Sequence, residues 1–285
     1  MNEPTFHDGL PVITSPRNER LRLVKALHSR RTRHQRQRYL IEGPKPIAEL
    51  LLRGAGSIEQ LLYRVQETLP THVAEALTAA RAAQVPCYPV ESKVFDSLAP
   101  SQTPQALLAI APLRWTPLEE LCAPGPEARG VAACLGVQDP GNLGTILRTA
   151  RFFGLAGVVT LPGTQDPFAP KVVRSAAGSL FANPPAQAAN LEALLEASAA
   201  AGLEPVALAA HGGEPLAQAE LPARSLLLLG AEGPGLPSQA AGLRQVTIAG
   251  SGHQESLNVA IAFALVAHAW GSRWSSHPAT PGGQA

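Results

Sequence analysis

Apolar and polar positions along this chain change period repeatedly, and each change marks an element. After Ser15-Pro16, the residues Leu21, Val24 and Leu27 recur at helical spacing among arginines, which predicts a basic amphipathic helix. Apolar runs at 39–42, 58–63, 86–90 and 106–110 predict short strands, with helices predicted at 44–52, 72–83 and 93–98. Residues 112–130 hold four prolines and two glycines and read as a linker. Beyond it, apolar runs at 131–137, 158–161, 205–209, 225–229 and 245–248 alternate with helical patterns after Asn142, after Pro170, at 191–201, near Ser238 and from Ser256. Continuously apolar strands alternating with helices predict a parallel sheet covered on both faces. The pattern gives a flexible stretch 1–11, a small α/β domain 12–111, a linker 112–130, a larger α/β domain 131–271 and a disordered tail 272–285.

Composition narrows the class. The chain has 285 residues, 45% hydrophobic and 16% charged, enough for two globular domains with ample cores. No apolar run reaches the roughly 18 residues of a membrane span, and the polar start MNEPTFHDG does not resemble a secretory signal. Three scattered cysteines without a CxxC pair argue against a disulfide framework or a zinc site, and a cytoplasmic location is expected. The net charge of +1 conceals a segregation: residues 15–45 carry ten basic and two acidic side chains, leaving 13 basic and 20 acidic elsewhere. Such a one-sided basic head on an acidic body suits a polyanion, and Arg30, Arg31 and Arg33 at its centre are candidate nucleic-acid contacts. A solvated helix face is the ordinary alternative.

Three segments carry the candidate chemistry: DPGNLGTILRTARFFG (139–154), LLLLGAEGPGLP (226–237) and ESLNVAIAFALVAHAW (255–270). In the first, Asn142 stands where a helix N-cap would stand. Arg148 lies two turns further along, with no acid between Gly141 and Gln165 to pair with it, and a guanidinium suits phosphate or ribose. In the second, Gly230, Gly233 and Gly235 follow a buried strand, and Glu232 falls at its carboxyl end, where α/β sheets bind ligands. In the third, Ser256 and Asn258 are the polar residues at the mouth of a helix apolar on every face. Such a helix is expected to be buried, with Ser256 able to cap it. His253 and Glu255 fit exposed loop positions better than a catalytic dyad. Neither a GxGxxG fingerprint nor a GxxxxGK[ST] loop occurs, which weighs against dinucleotide and nucleoside-triphosphate enzymes.

In order and spacing these segments resemble the three signature motifs of the SpoU/TrmH family of RNA ribose 2′-O-methyltransferases. PGNLGTILRTA is similar to the first motif, GAEGPGL to the second and ESLNVA to the third, and DPFAPKVVRSAAGSLF (166–181) resembles a further family segment. ITSPRNERLRLVKAL, YLIEGPKPIAELL and QTPQALLAI resemble the N-terminal RNA-binding domain of many members, so the likeness spans about residues 12–270. It implies a C-terminal parallel-sheet α/β domain with a deep trefoil knot, plus a smaller N-terminal α/β domain of ribosomal-protein type. It implies S-adenosylmethionine as methyl donor, contacted at Gly230, Ile248 and Leu257, with no metal. A homodimer and a structured rRNA or tRNA substrate are implied as well. Arg148, Asn142, Glu232, Ser256 and Asn258 become the expected catalytic set, and Lys171 and Arg174 candidate phosphate contacts. One departure stands out: Ile248-Ala249-Gly250 replaces the family's usual Ile-Pro-Met, although the Ile248-to-Leu257 spacing is kept. Two other readings remain: an RNA-binding assembly protein of the same fold without turnover, and an unrelated nucleotide-binding α/β enzyme.

Overall fold

A computed structural model describes residues 6, 7, 9–54, 56–66, 68–123 and 129–274. In chain order its first elements are β1 (Phe6–His7), β2 (Leu10–Pro11), α1 (Glu19–Ala26), α2 (Arg30–Arg36), β3 (Arg38–Glu42), α3 (Pro44–Leu51) and β4 (Gln60–Arg64). Then come α4 (Thr71–Ala82), β5 (Cys87–Val90), α5 (Ser92–Asp96), β6 (Leu107–Pro112), α6 (Leu118–Cys122), β7 (Arg129–Leu135) and α7 (Pro140–Phe152). The chain continues through β8 (Gly157–Thr160), α8 (Pro170–Ser175), α9 (Ser179–Ala182), β9 (Ala186–Gln187), α10 (Leu191–Ala200) and β10 (Glu204–Leu208). It closes with β11 (Glu214–Pro215), β12 (Arg224–Gly230), a 3₁₀ turn (Ser238–Ala240), β13 (Arg244–Thr247) and α11 (Val259–Trp274).

Contacts divide the chain into two compact units, and the division is not a single cut. One unit comprises residues 1–114 together with 166–181; the other comprises 115–165 together with 182–285. In the first unit, a four-stranded mixed sheet runs in the order β3-β6-β4-β5. Leu21, Val24 and Leu27 of the expected basic helix are all fully buried, packing with Leu40, Leu62, Phe95 and Ile110. That helix is broken in two: α1 ends at Ala26, and Ser29 opens α2 in extended conformation. Segment 166–181 packs on the same unit. Its Phe168 and Phe181 lie 5.2 and 6.4 Å, ring to ring, from the buried Tyr39 of β3.

The second unit is built on a seven-stranded sheet, order β11-β13-β10-β12-β7-β8-β9, in which every pairing is parallel, as the continuous apolar strands predict. Central β12 and β7 are buried along almost their whole length. α11 leaves the sheet beyond β13 and packs on α7, and its Trp270 and Trp274 indoles donate to the carbonyls of Pro222 and Leu221 ahead of β12. The expected linker contains α6, whose buried Leu121 and Cys122 join the core of this unit. The stretch expected to be flexible at the N-terminus contains the β1–β2 hairpin. Ser272–Trp274, expected within the disordered tail, continue α11, while 275–285 lie outside the described residues. Among the described residues no helix is long and apolar enough to cross a membrane, and no group of three or more His, Cys, Asp or Glu could hold a metal.

Candidate active site and RNA-binding side chains

Helix α7 begins one turn earlier than Asn142. Asp139 is the N-cap, accepting the Asn142 backbone N–H at 2.9 Å, and Pro140 occupies the first helical turn. Asn142 is therefore not the cap, and its side chain is released for other partners. Its Nδ2 donates to Glu232 Oε1 at 2.8 Å, while its Oδ1 accepts from Asn258 Nδ2 at 2.9 Å. Asn258 in turn caps α11, its Oδ1 accepting from the N–H groups of Ala260 and Ile261 at 2.9 and 3.3 Å. The cap of the last helix is thus Asn258 and not Ser256. One continuous chain of hydrogen bonds, Glu232–Asn142–Asn258, joins residues 90 and 116 positions apart in sequence.

Glu232 sits immediately after β12, where the chain turns sharply. Ala231 and Gly235 exchange both backbone hydrogen bonds at 3.0 Å, folding residues 231–235 back over the strand end. This closeness explains Gly230: a Cβ there would lie 2.3 Å from the Gly235 carbonyl carbon and 2.5 Å from the Leu236 nitrogen. Partial burial pushes the Glu232 carboxyl up. Hydrogen bonds from the Asn142 amide and from the backbone N–H groups of Gln138, Glu232 and Asp139 outweigh that and hold it below the ordinary value of 4.5. The site therefore contains a carboxylate that stays ionised and orients an amide, which makes it a poor proton store.

Of the five expected catalytic residues, three are joined directly. Arg148 is exposed on α7 and forms no hydrogen bond or ion pair among the described residues. It shares one face of the helix with Thr145 and Phe152, the latter 80% exposed. Ser256 is exposed, lies outside α11 and has no partner within the described chain. The expectation that the last helix is buried on every face is corrected: Ile261 and Leu265 are 54% and 42% exposed and follow Leu257, at 47%, in four-residue steps. That stripe does not face this chain's core.

For the methyl donor, Gly230, Ile248 and Leu257 lie in the same unit, at the end of β12, just past β13 and just before α11. Residues 248–257 make no backbone-to-backbone hydrogen bond among the described residues, and apart from the His253 N–H, which donates to Ser251 Oγ at 3.5 Å, their backbone groups are available to a ligand. Half-buried Ile248 and exposed Leu257 border them. Such a set fits a ligand gripped mainly through backbone groups beside apolar side chains.

In the other unit, Arg30, Arg31, Lys171 and Arg174 are exposed, and none of the four has a partner among the described residues. Arg33 is different, and its assignment as an RNA contact is corrected. It is 3% exposed, and its Nε and Nη2 donate to Asp166 Oδ2 at 2.9 and 2.6 Å while Nη1 donates to the carbonyls of Leu27 and His28. Its charge is spent on fastening segment 166–181. Sequence reading missed Asp139 as the cap, although Asp-Pro opening a helical pattern is a legible signal. It also missed the Gln138 N–H that supports Glu232 at 3.1 Å, for which no linear signal exists.

The SpoU rRNA Methylase family matches residues 131–268, and an MRM3-like substrate binding domain matches residues 18–109. A 23S rRNA guanosine 2′-O-methyltransferase of Bacillus subtilis is 31% identical over 261 residues, spanning 90% of this chain and 97% of its own. An AdoMet-bound rRNA methyltransferase from Sinorhizobium meliloti superposes with TM-score 0.81 at 30% identity, covering 93% of this chain and 98% of that one. The SpoU methyltransferase AviRb of Streptomyces viridochromogenes, in complex with AdoMet, superposes with TM-score 0.79 at 27% identity over 90% of this chain and 98% of its own. With three motifs joined by hydrogen bonds and near-complete mutual coverage of such relatives, this chain belongs to the SpoU rRNA methylase family.

Proposed function

We propose that this chain transfers a methyl group from S-adenosylmethionine to a ribose 2′-hydroxyl of structured RNA, rRNA or tRNA. The observation that carries the reading is the hydrogen-bonded chain Glu232–Asn142–Asn258, which draws all three motifs to one place. S-adenosylmethionine supplies an electrophilic methyl on a sulfonium, so the protein's share is positioning and electrostatics. Ile248, Leu257 and the backbone of 248–257, with the turn after Gly230, hold the donor. Asn142, fixed by Glu232, and Asn258, fixed as a helix cap, present oriented amides to the ribose. Arg148 neutralises the neighbouring phosphate and steers the 2′-oxygen onto the sulfonium methyl; as the O–CH3 bond forms the S–CH3 bond breaks, leaving the neutral thioether, and the hydroxyl proton passes to solvent water. Ser256, beside Leu257, adds a hydroxyl donor to ligand.

A homodimer belongs to this reading. Ile261 and Leu265 on α11, Leu257 just ahead of it and Phe152 on α7 form exposed apolar steps, the two helices packing together, and Arg148 lies on the same α7 face as Phe152. A second copy covering that face would enclose Arg148 near a site it does not touch within one chain. The trefoil knot is part of the reading too, supported by α11 returning from β13 to the start of β12. So are the cytoplasmic location and the phosphate contacts at Arg30, Arg31, Lys171 and Arg174.

The test is transfer of labelled methyl from S-adenosylmethionine to in vitro transcribed rRNA and tRNA, with mass spectrometry of the nucleosides. A 2′-O-methylated ribose at one position is expected. RNA binding without labelled ribose across both pools would instead support the assembly role without turnover.

A further inference from the structure

The RNA-binding unit holds a cavity that none of the expected contacts uses. It has a volume of about 440 Å³ and is lined by Thr14, Ser15, Asn18, Arg20, Tyr88 and Pro89, with a rim from residues 10–13. That size falls within the roughly 300–1,000 Å³ typical of small-ligand clefts. Its walls are uneven in a telling way. On one side the Arg20 guanidinium lies over the Tyr88 ring, 4.6 Å from the centroid. Thr14, Ser15 and Asn18 add two hydroxyls and an amide to the lining. No acidic residue lines it, and Arg17, Arg22 and Lys25 stand nearby in sequence, all exposed.

We propose that this cavity captures one unstacked nucleotide of the substrate RNA, with the base lying on the Arg20 guanidinium that Tyr88 backs. The inference rests on the RNA substrate read above and adds a subsite to it. Three features select that ligand. RNA is recognised largely through splayed bases laid on aromatic rings or guanidinium planes. Tyr88 holds one face of Arg20, so the planar cation is ordered before binding and its outer face is open to a π-system. Asn18 is oriented as well: its Oδ1 is committed to the Arg20 backbone N–H at 3.0 Å, as the α1 cap, and its Nδ2 has no partner among the described residues. A fixed amide donor lining the same cavity as that plane suits a carbonyl or ring nitrogen on a base edge. The flanking arginines then neutralise the adjoining phosphates.

The experiment measures binding of the full chain to in vitro transcribed, unmodified 23S rRNA fragments and to a single-stranded RNA decamer carrying one 2-aminopurine. Stacking quenches 2-aminopurine, so the wild type should bind the decamer with loss of fluorescence. Arg20→Lys keeps the charge but removes the plane; it should bind roughly ten-fold more weakly, without quenching and with an unchanged salt slope. Tyr88→Leu, which preserves apolar packing, should behave alike, and Asn18→Ser, which preserves the cap, should lose less. Should Arg20→Lys retain wild-type affinity and quenching, the side chain is only a phosphate contact and the proposal fails, whether or not Tyr88→Leu folds. Failure of the wild type to bind RNA overturns it too. RNA binding with quenching but no methyl transfer leaves this subsite standing and overturns the activity alone.

Discussion

Arg33 and Asp166 form a buried pair whose removal should be felt as stability and not as RNA affinity. Both side chains are almost wholly enclosed, 4% and 1% exposed, and Asp166 accepts two guanidinium N–H bonds on one oxygen. Arg33→Ala takes both guanidinium bonds from that carboxylate and strips a donor from the Leu27 and His28 carbonyls. Stranding one half of a buried ion pair costs about 3–5 kcal/mol. Against a total stability of about 5–15 kcal/mol this is a large fraction, and it should lower the melting temperature by about 10 °C. Urea and thermal unfolding followed by circular dichroism measure it, with exposed Arg31→Ala as the control expected within about 0.5 kcal/mol of wild type. The double change Arg33→Met with Asp166→Leu should recover most of the loss, because paired apolar groups can replace a buried ion pair without penalty. A single mutant within 1 kcal/mol of wild type, or a double mutant no better than the single, would refute this account.

Further outcomes follow from the other site residues. Arg148→Ala should abolish methyl transfer while S-adenosylmethionine affinity by calorimetry stays near wild type; equal turnover would remove its assigned role. Arg30→Ala with Arg31→Ala should weaken RNA binding and lower the salt slope by about one to two ions, whereas a slope matching wild type would dismiss these residues as contacts. The Glu232 carboxyl is held below 4.5, so its ionised form favours the folded site above that value, and the benefit disappears as pH falls through the lowered midpoint. Carbon-detected titration should show this midpoint, and Asn142→Ala should raise it; a midpoint above 4.5 in the wild type contradicts the geometry. Ile261→Asp with Leu265→Asp should yield monomers by sedimentation if that face joins two copies, and an unaltered dimer would place the interface elsewhere.

The strands of the larger unit were legible because β7 and β12 are buried on both faces, which leaves an unbroken apolar run in sequence. Short elements were not. β9 and β11 have two residues each and α6 five, too few for any periodicity to register. The break between α1 and α2 hid inside one arginine-rich pattern, since nothing but Ser29 marks it. For the site, motif order identified Asn142, Glu232 and Asn258, while the capping duties offered to Asn142 and Ser256 fall instead to Asp139 and Asn258. Capping by Asp139 and Asn258 depends on where each helix starts, and helix boundaries are the least readable feature of a pattern. Arg33 was beyond linear reading altogether, because its partner lies 133 residues away. A cluster of arginines looks the same in sequence whether its members face solvent or a carboxylate.

The backbone passes from one compact unit to the other three times, after residues 114, 165 and 181. A gene fragment ending at the apparent linker would therefore encode an incomplete body: Tyr39 would lack Phe168 and Phe181, and Arg33 would lack its anion. Chimeras that exchange N-terminal halves between relatives must carry residues 166–181 across as well. Exchange of this unit between genes is closed to the architecture unless two separated stretches move together.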